Sequence, residues 1–183
     1  MAHSAEEEVA RDYILSGKAD LTIVVCDATC LERNLNLVLQ TLEITDKVLV
    51  CVNLMDEAER NGISVDIPRL AHRLGIPAVG LTARSKNSSS LILPAIEKAL
   101  AAENIPVQPS YPDSINNAIK ELTPLISNRD KRRRRYTALR FLDGTNCPGN
   151  DETSLKRKAE TVLITARLLP PCSLPLMARW VAL

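Results

Sequence analysis

The stretch "VLVCVNLMDEAERNG", residues 48–62, decides how this chain is read. An apolar run without alternation is the pattern of a parallel strand buried on both faces. It ends at Asn53 and passes directly into Asn53-Leu54-Met55-Asp56, an N-x-x-D turn. Guanine carries N1–H and a 2-amino group on one edge, and one aspartate accepts from both in a charge-assisted pair. Adenine lacks that donor pair and would leave the carboxylate desolvated and unmatched. In this reading Asp56 is the base-reading carboxylate, and Asn53 bonds the base and ties neighbouring loops together. On the spacing alone, the same two residues serve equally well as caps of the turn and the short segment after it.

Working outward, "ADLTIVVCDA" (19–28) is a second β-branched run, read as another strand buried on both faces, and "IPAVGLTA" (76–83) is a third strand. Between them lie helical patterns. Ser4-x-x-Glu7 opens a helix over 5–16 that Gly17 stops, and Thr29-x-x-Glu32 opens one over 30–44 with a Leu31, Leu35, Val38, Leu39, Leu42 stripe. Residues 66–74 form a short helix with Pro68 near its start and Gly75 after its end, and 88–103 a closing helix. Strands alternating with helices call for a parallel sheet with right-handed crossovers, whose ligands bind beyond the carboxyl ends of the strands. Asp27, Asn53, Asp56 and Thr82-Ala83-Arg84 all fall there. The Ala83 backbone N–H is placed to meet guanine O6.

Residues 1–104 therefore form an α/β unit. Residues 105–144 follow as a small helical appendage, with helices in "DSINNAIKELTPLI" and "KRRRRYTALRFLDG". Residues 145–183 show weak periodicity and many prolines and are expected to hold little order beyond a helix near 154–168. The 183 residues are 45% apolar and 25% charged, ordinary globular material, and the net charge of +1 argues against a general nucleic-acid binder. Aromatics make up 3%, so the core falls to Leu, Val, Ile and Ala. Five cysteines, none in C-x-x-C, point to a reducing compartment without disulfides or a zinc site. The acidic start is not a signal peptide, and no apolar run is long enough to span a bilayer.

Taken in order, "EEEVARDYIL", "VVCDATCLERNLNLVLQTLE", "VNLMDEAERNGISVDIPRLAHRLGIPAVGLTAR" and "RYTALRFLDG" resemble the cytosolic N-terminal region of the bacterial ferrous iron transport protein B family, over about residues 4–144. The resemblance implies a partial Ras-like P-loop G domain of three parallel strands with flanking helices, then a helical domain. It implies GTP or GDP as ligand, with guanine contacts at Asn53, Asp56, Thr82, Ala83 and Arg84. Its wider implications are a cytoplasmic location at the inner membrane and a role in gating Fe²⁺ uptake by GTP hydrolysis. Leu54 stands where most GTPases have Lys.

The departures set further expectations. Such a domain begins with G-x-x-x-x-G-K-[ST], which cradles phosphates and places Mg²⁺. The chain opens at what looks like the second switch helix, so an N-terminal truncation is expected. With it go weak or absent nucleotide binding, no Mg²⁺ ligand, and no hydrolysis by this chain alone. The lone Gly75-to-Gly80 match lacks the lysine and is read as chance. The unpartnered strand 19–28 would be sticky, a surface for another transporter chain. The alternatives to a guanine-nucleotide domain are a non-enzymatic interaction module and a non-functional gene fragment. Arg132–Arg135 is read as a solvated helix face, with lipid headgroups as its functional alternative.

Overall fold

The computed structural model describes residues 5–85, 88–103, 105–127 and 130–142. The expected tail at 145–183, its helix near 154–168 and the Ser4 cap lie outside the described residues. The chain divides into two compact units, with the boundary between Gln108 and Pro109, where the sequence reading had placed it at 104. The linker residue Val107 donates its amide N–H to the Leu74 carbonyl, which ties residues up to 108 to the first unit.

In the first unit the elements run α1 (Ala5–Ser16), β1 (Thr22–Asp27), α2 (Leu31–Ile44), β2 (Val48–Asn53), α3 (Met55–Arg60), α4 (Ile67–Leu74), β3 (Ala78–Gly80) and α5 (Ser88–Ala101). The strands form a parallel sheet in the order β1-β2-β3. Val24, Cys26, Val48, Val50 and Val52 share one face and pack with Val38 and Leu42 of α2, Leu74 of α4 and Ile76. Helix α5 lies against β2 and β3, and Leu49 and Cys51 on the second face of β2 are buried too. β2 is thus buried on both faces, as its uninterrupted apolar run requires.

β1 departs from that expectation. Val24 and Cys26 are buried, but Ile23 and Val25 on the opposite face are exposed, Val25 by 58%. Paired residues of parallel strands share a face, so Ile23 and Val25 flank the buried Leu49 and Cys51 without sharing their cover. β3 is also shorter than its apolar run, because it pairs only with Val50–Val52 of β2.

Local chemistry sets the element ends. Asp66 accepts the Arg69 amide at the start of α4, and Gly75 closes it in the left-handed conformation at φ 67°. Gly75 and Gly80 thus end a helix and a strand, which removes the apparent phosphate motif between them. The expected Thr29–Glu32 capping box does not form. Instead, Asp27 accepts from the Thr29 amide and hydroxyl, both at 2.7 Å, and a short 3₁₀ turn at Ala28–Cys30 leads into α2.

The second unit pairs α6 (Asp113–Leu122) with α7 (Lys131–Leu142) through Ile115, Ile119, Leu122, Leu139, Phe141 and Leu142. The arginine run does not form the solvated face expected of it. Arg132–Arg135 are half-buried, and the Arg135 guanidinium lies 5.6 Å from the centre of the Tyr111 ring and donates to the Pro109 carbonyl. A long aliphatic stem lets arginine cover apolar surface while its head reaches a ring or carbonyl. No helix among the described residues is long and apolar enough to cross a membrane.

Candidate functional site

β2 and β3 together position the site. Pairing of Val52 with Gly80 and of Asp27 with Asn53 brings the loops after all three strands to one end of the sheet. The Leu81 amide donates to the Val52 carbonyl at 2.9 Å, and the Met55 amide to the Leu81 carbonyl at 3.4 Å. The segment entering Thr82 is therefore laced to the turn that leaves β2.

That turn is made by Leu54, the single described non-glycine residue with positive φ, at φ 60° and ψ 35°. A left-handed conformation costs an ordinary L-residue about 1–2 kcal/mol. It redirects the chain so that α3 starts at once and Asp56 falls in its first turn. Amide N–H groups there favour a carboxylate.

Three contacts join the two loops. Thr82 Oγ1 donates to Asp56 Oδ1 at 3.2 Å, Arg84 Nη2 donates to Asp56 Oδ2 at 2.9 Å, and the Ala83 N–H donates to Asn53 Oδ1 at 2.9 Å. Ser88 Oγ, at the start of α5, donates to the Thr82 carbonyl and holds this loop from its far side. The five residues predicted from sequence are therefore brought together. Asp27 leaves the sheet at the same end, but its Oδ1 closes its own turn with Thr29.

Two features of the arrangement go beyond the sequence reading. Arg60 Nη2 also donates to Asp56 Oδ2, at 3.0 Å, while its Nε holds the Asp56 carbonyl at 3.1 Å. The i,i+4 spacing of Asp56 and Arg60 was a usable signal for this pair. The groups expected to face a base are also engaged with each other: the Ala83 amide on Asn53, and the Arg84 guanidinium on Asp56. The hydrogen bond from Arg84 is the main cause holding the Asp56 carboxyl below its ordinary range, helped by Thr82 and the Arg60 charge. Arg84 is raised in turn by Asp56. Hydrogen bonds from the Thr29 side chain and amide likewise lower Asp27.

Among the described residues no group of three or more His, Cys, Asp or Glu side chains could hold a metal ion.

The parallel sheet with helices on its faces, and loops gathered at the carboxyl ends of its strands, defines the class: the chain has the Ras-like α/β fold of a G domain. Residues 1–96 match the family described as Ferrous iron transport protein B, and the chain belongs to that family. It is 36% identical over 141 residues to the Fe(2+) transporter FeoB of Escherichia coli, covering 77% of this chain and 18% of that protein. The Salmonella typhimurium transporter of the same name is 36% identical over 147 residues, with 77% and 18% covered. The chain thus spans less than a fifth of these relatives' length. Among solved structures, a point mutant of S. thermophilus NFeoB bound to GDP superposes with a TM-score of 0.77 at 25% identity, covering 90% of this chain and 66% of that one. The cytosolic domain of the T. maritima FeoB iron transporter in apo form gives 0.69 at 26% identity, covering 90% and 74%.

Proposed function

We propose that this chain reads guanine nucleotides through Asn53, Asp56 and the Thr82-Ala83-Arg84 loop, as the cytosolic regulatory part of a ferrous iron transporter. The observation that carries the reading is the convergence of Asp56 and the 82–84 loop, 26 and 28 residues apart in sequence, into one hydrogen-bonded cluster at the carboxyl end of a parallel sheet. A capped turn needs only local partners, whereas these are not local. Asp56 accepts from guanine N1–H and the 2-amino group, Asn53 supports the base, and the Ala83 amide turns to O6. Thr82 holds the carboxylate in place through Oδ1, and Arg84 engages it through Oδ2 in the nucleotide-free loop. Location on the cytosolic side of the membrane, and control of Fe²⁺ passage by nucleotide occupancy, follow as parts of the same proposal.

The test exchanges the hydrogen-bond pattern. Asp56→Asn presents one acceptor and one donor, which suits xanthine, whose 2-oxo group replaces the 2-amino group. Fluorescent GDP, ADP and XDP are titrated against the 183-residue chain and the variant. The expected result is a preference for GDP over ADP in the parent and for XDP in Asp56→Asn. Equal binding of all three by both proteins rules out base reading at Asp56.

A second reading rests on β1. It is an edge strand of the described sheet, with Ile23 and Val25 exposed beside the buried face of β2. Unpaired strand edges carrying apolar side chains invite another strand, and another transporter chain docking on residues 19–28 is the partner proposed. Light scattering during size-exclusion chromatography tests it. A monomer across a tenfold concentration range, unchanged by Val25→Lys, argues against pairing of this chain with itself.

A further inference from the structure

An ionised carboxylate offers two oxygens and about four lone-pair positions, and recognition of guanine needs one good position on each oxygen. In the structure Oδ2 of Asp56 already accepts from both Arg60 and Arg84, and Oδ1 accepts from Thr82. A base approaching this edge finds Oδ2 taken by two guanidinium groups, so one of them must leave.

The two are not equivalent. Arg60 sits one turn along the same helix and is fixed a second time, by its Nε on the Asp56 carbonyl. Arg84 comes from the other loop and reaches Asp56 through Nη2, with its side chain as exposed as that of Arg60 but without the second tie to the helix. It can swing into solvent without disturbing a helix. The Ala83 amide beside it is held by Asn53 in the same closed arrangement, so release of Arg84 and release of the O6 donor belong to one movement of the 82–84 loop.

We propose that Arg84 is a built-in competitor of the base: it latches the nucleotide-free loop onto Asp56, and guanine enters by displacing its guanidinium. The proposal rests on Asp56 being the base-reading carboxylate. It assigns Arg84 a positioning role opposite in sign to that of a residue adding affinity. Loss of the side chain should free the carboxylate and tighten discrimination for guanine.

The measurement is the ratio of ADP to GDP dissociation constants for the 183-residue chain, for Arg84→Met and for Arg60→Met. The two nucleotides carry the same diphosphate, so the ratio cancels any attraction between arginine and phosphate. Exposed ion pairs are weak, and the ratio is expected to rise about 2- to 5-fold in Arg84→Met. In Arg60→Met, which lacks a cation but keeps the loop latched, the ratio should move less. A carbon-detected titration of the Asp56 carboxyl without nucleotide reports the contact itself, and in Arg84→Met the pKa should climb toward the ordinary aspartate value. A ratio above one in the parent that falls or stays constant in Arg84→Met overturns the latch and leaves base reading intact. A ratio of one in all three proteins overturns base reading, and the latch falls with it. An Asp56 titration unaffected by Arg84→Met also overturns the latch.

Discussion

Val24 and Val25 are neighbours on β1 with opposite surroundings, which makes them a controlled test of how this sheet is covered. Truncation of either to alanine removes two carbons and the same β-branched preference, so the cost common to both cancels in the comparison. Each buried carbon is worth about 0.8 kcal/mol. Val24 is 5% exposed, so it should lose nearly all of the ~1.6 kcal/mol. A residual cavity against Val38 and Leu42 raises this to about 2–3 kcal/mol. Val25 is 58% exposed and retains less than half of that transfer gain, about 0.7 kcal/mol, with no closed cavity to leave behind. The difference expected is therefore at least about 1 kcal/mol. Because the chain has two units, the assay is urea unfolding followed through methyl signals of Leu42 and Val50, which report the sheet unit alone. A Val25→Ala cost equal to that of Val24→Ala would refute the open face and restore a strand buried on both sides.

Other expectations follow from single positions. At Leu54 the left-handed backbone favours asparagine and penalises β-branching, so Leu54→Val should be at least about 1 kcal/mol less stable than Leu54→Asn by the same unfolding assay. Gly75→Ala adds the left-handed penalty and a Cβ that would run into the Ile105 carbonyl; a loss of about 2 kcal/mol or more is expected, read as a lowered urea midpoint. Burial first, then Cys51 and Cys30, pushes the Cys26 thiol up to about 11, whereas Cys30 is exposed. Peptide mapping after brief alkylation at pH 8 should show Cys30 modified before Cys26 or Cys51. Asp27 and Asp56 titrate below their ordinary value in the folded chain, so the unfolded chain takes up protons first as pH falls. The stability they contribute is present above about pH 4 and lost as pH falls through the lowered values. Asp27→Asn should flatten that acid limb of the stability profile.

The parts of the fold that follow from local rules were legible in the sequence. β2 could be read because five consecutive buried positions leave no polar residue to confuse the period. α4 could be read because Asp66, Pro68 and Gly75 mark both of its ends. β1 misled because its composition is that of a strand buried on both faces, while burial depends on what other chain segments lie over it. Thr29 and Glu32 have capping-box spacing, yet Asp27, two residues before Thr29, captures the Thr29 donors first. The five candidate residues were singled out by the N-x-x-D spacing, by their place after the strands and by the family resemblance, and the structure brings them together. What spacing cannot convey is which of two acceptors a donor chooses, and that choice puts Arg84 on Asp56 and the Ala83 amide on Asn53. The left-handed Leu54 was equally hidden, since leucine carries no signal for positive φ.

The candidate site depends on only part of the sheet. Asn53 and Asp56 leave β2, the 82–84 loop leaves β3, and the two are joined by the Leu81–Val52 and Met55–Leu81 backbone bonds. β1 enters this arrangement only as the neighbour that covers one edge of β2, and its own loop is closed by Asp27 and Thr29. The open face at Ile23 and Val25 can therefore be occupied or left bare without altering the distances among Asp56, Thr82 and Arg84. Nucleotide reading and docking on β1 are separable on this geometry. Val25→Lys should suppress association while leaving the ratio of ADP to GDP dissociation constants unchanged, and Asp56→Asn should do the reverse. If both properties moved together in either variant, the two loops and the β1 face would have to be coupled through β2, whose rigidity would then carry the signal.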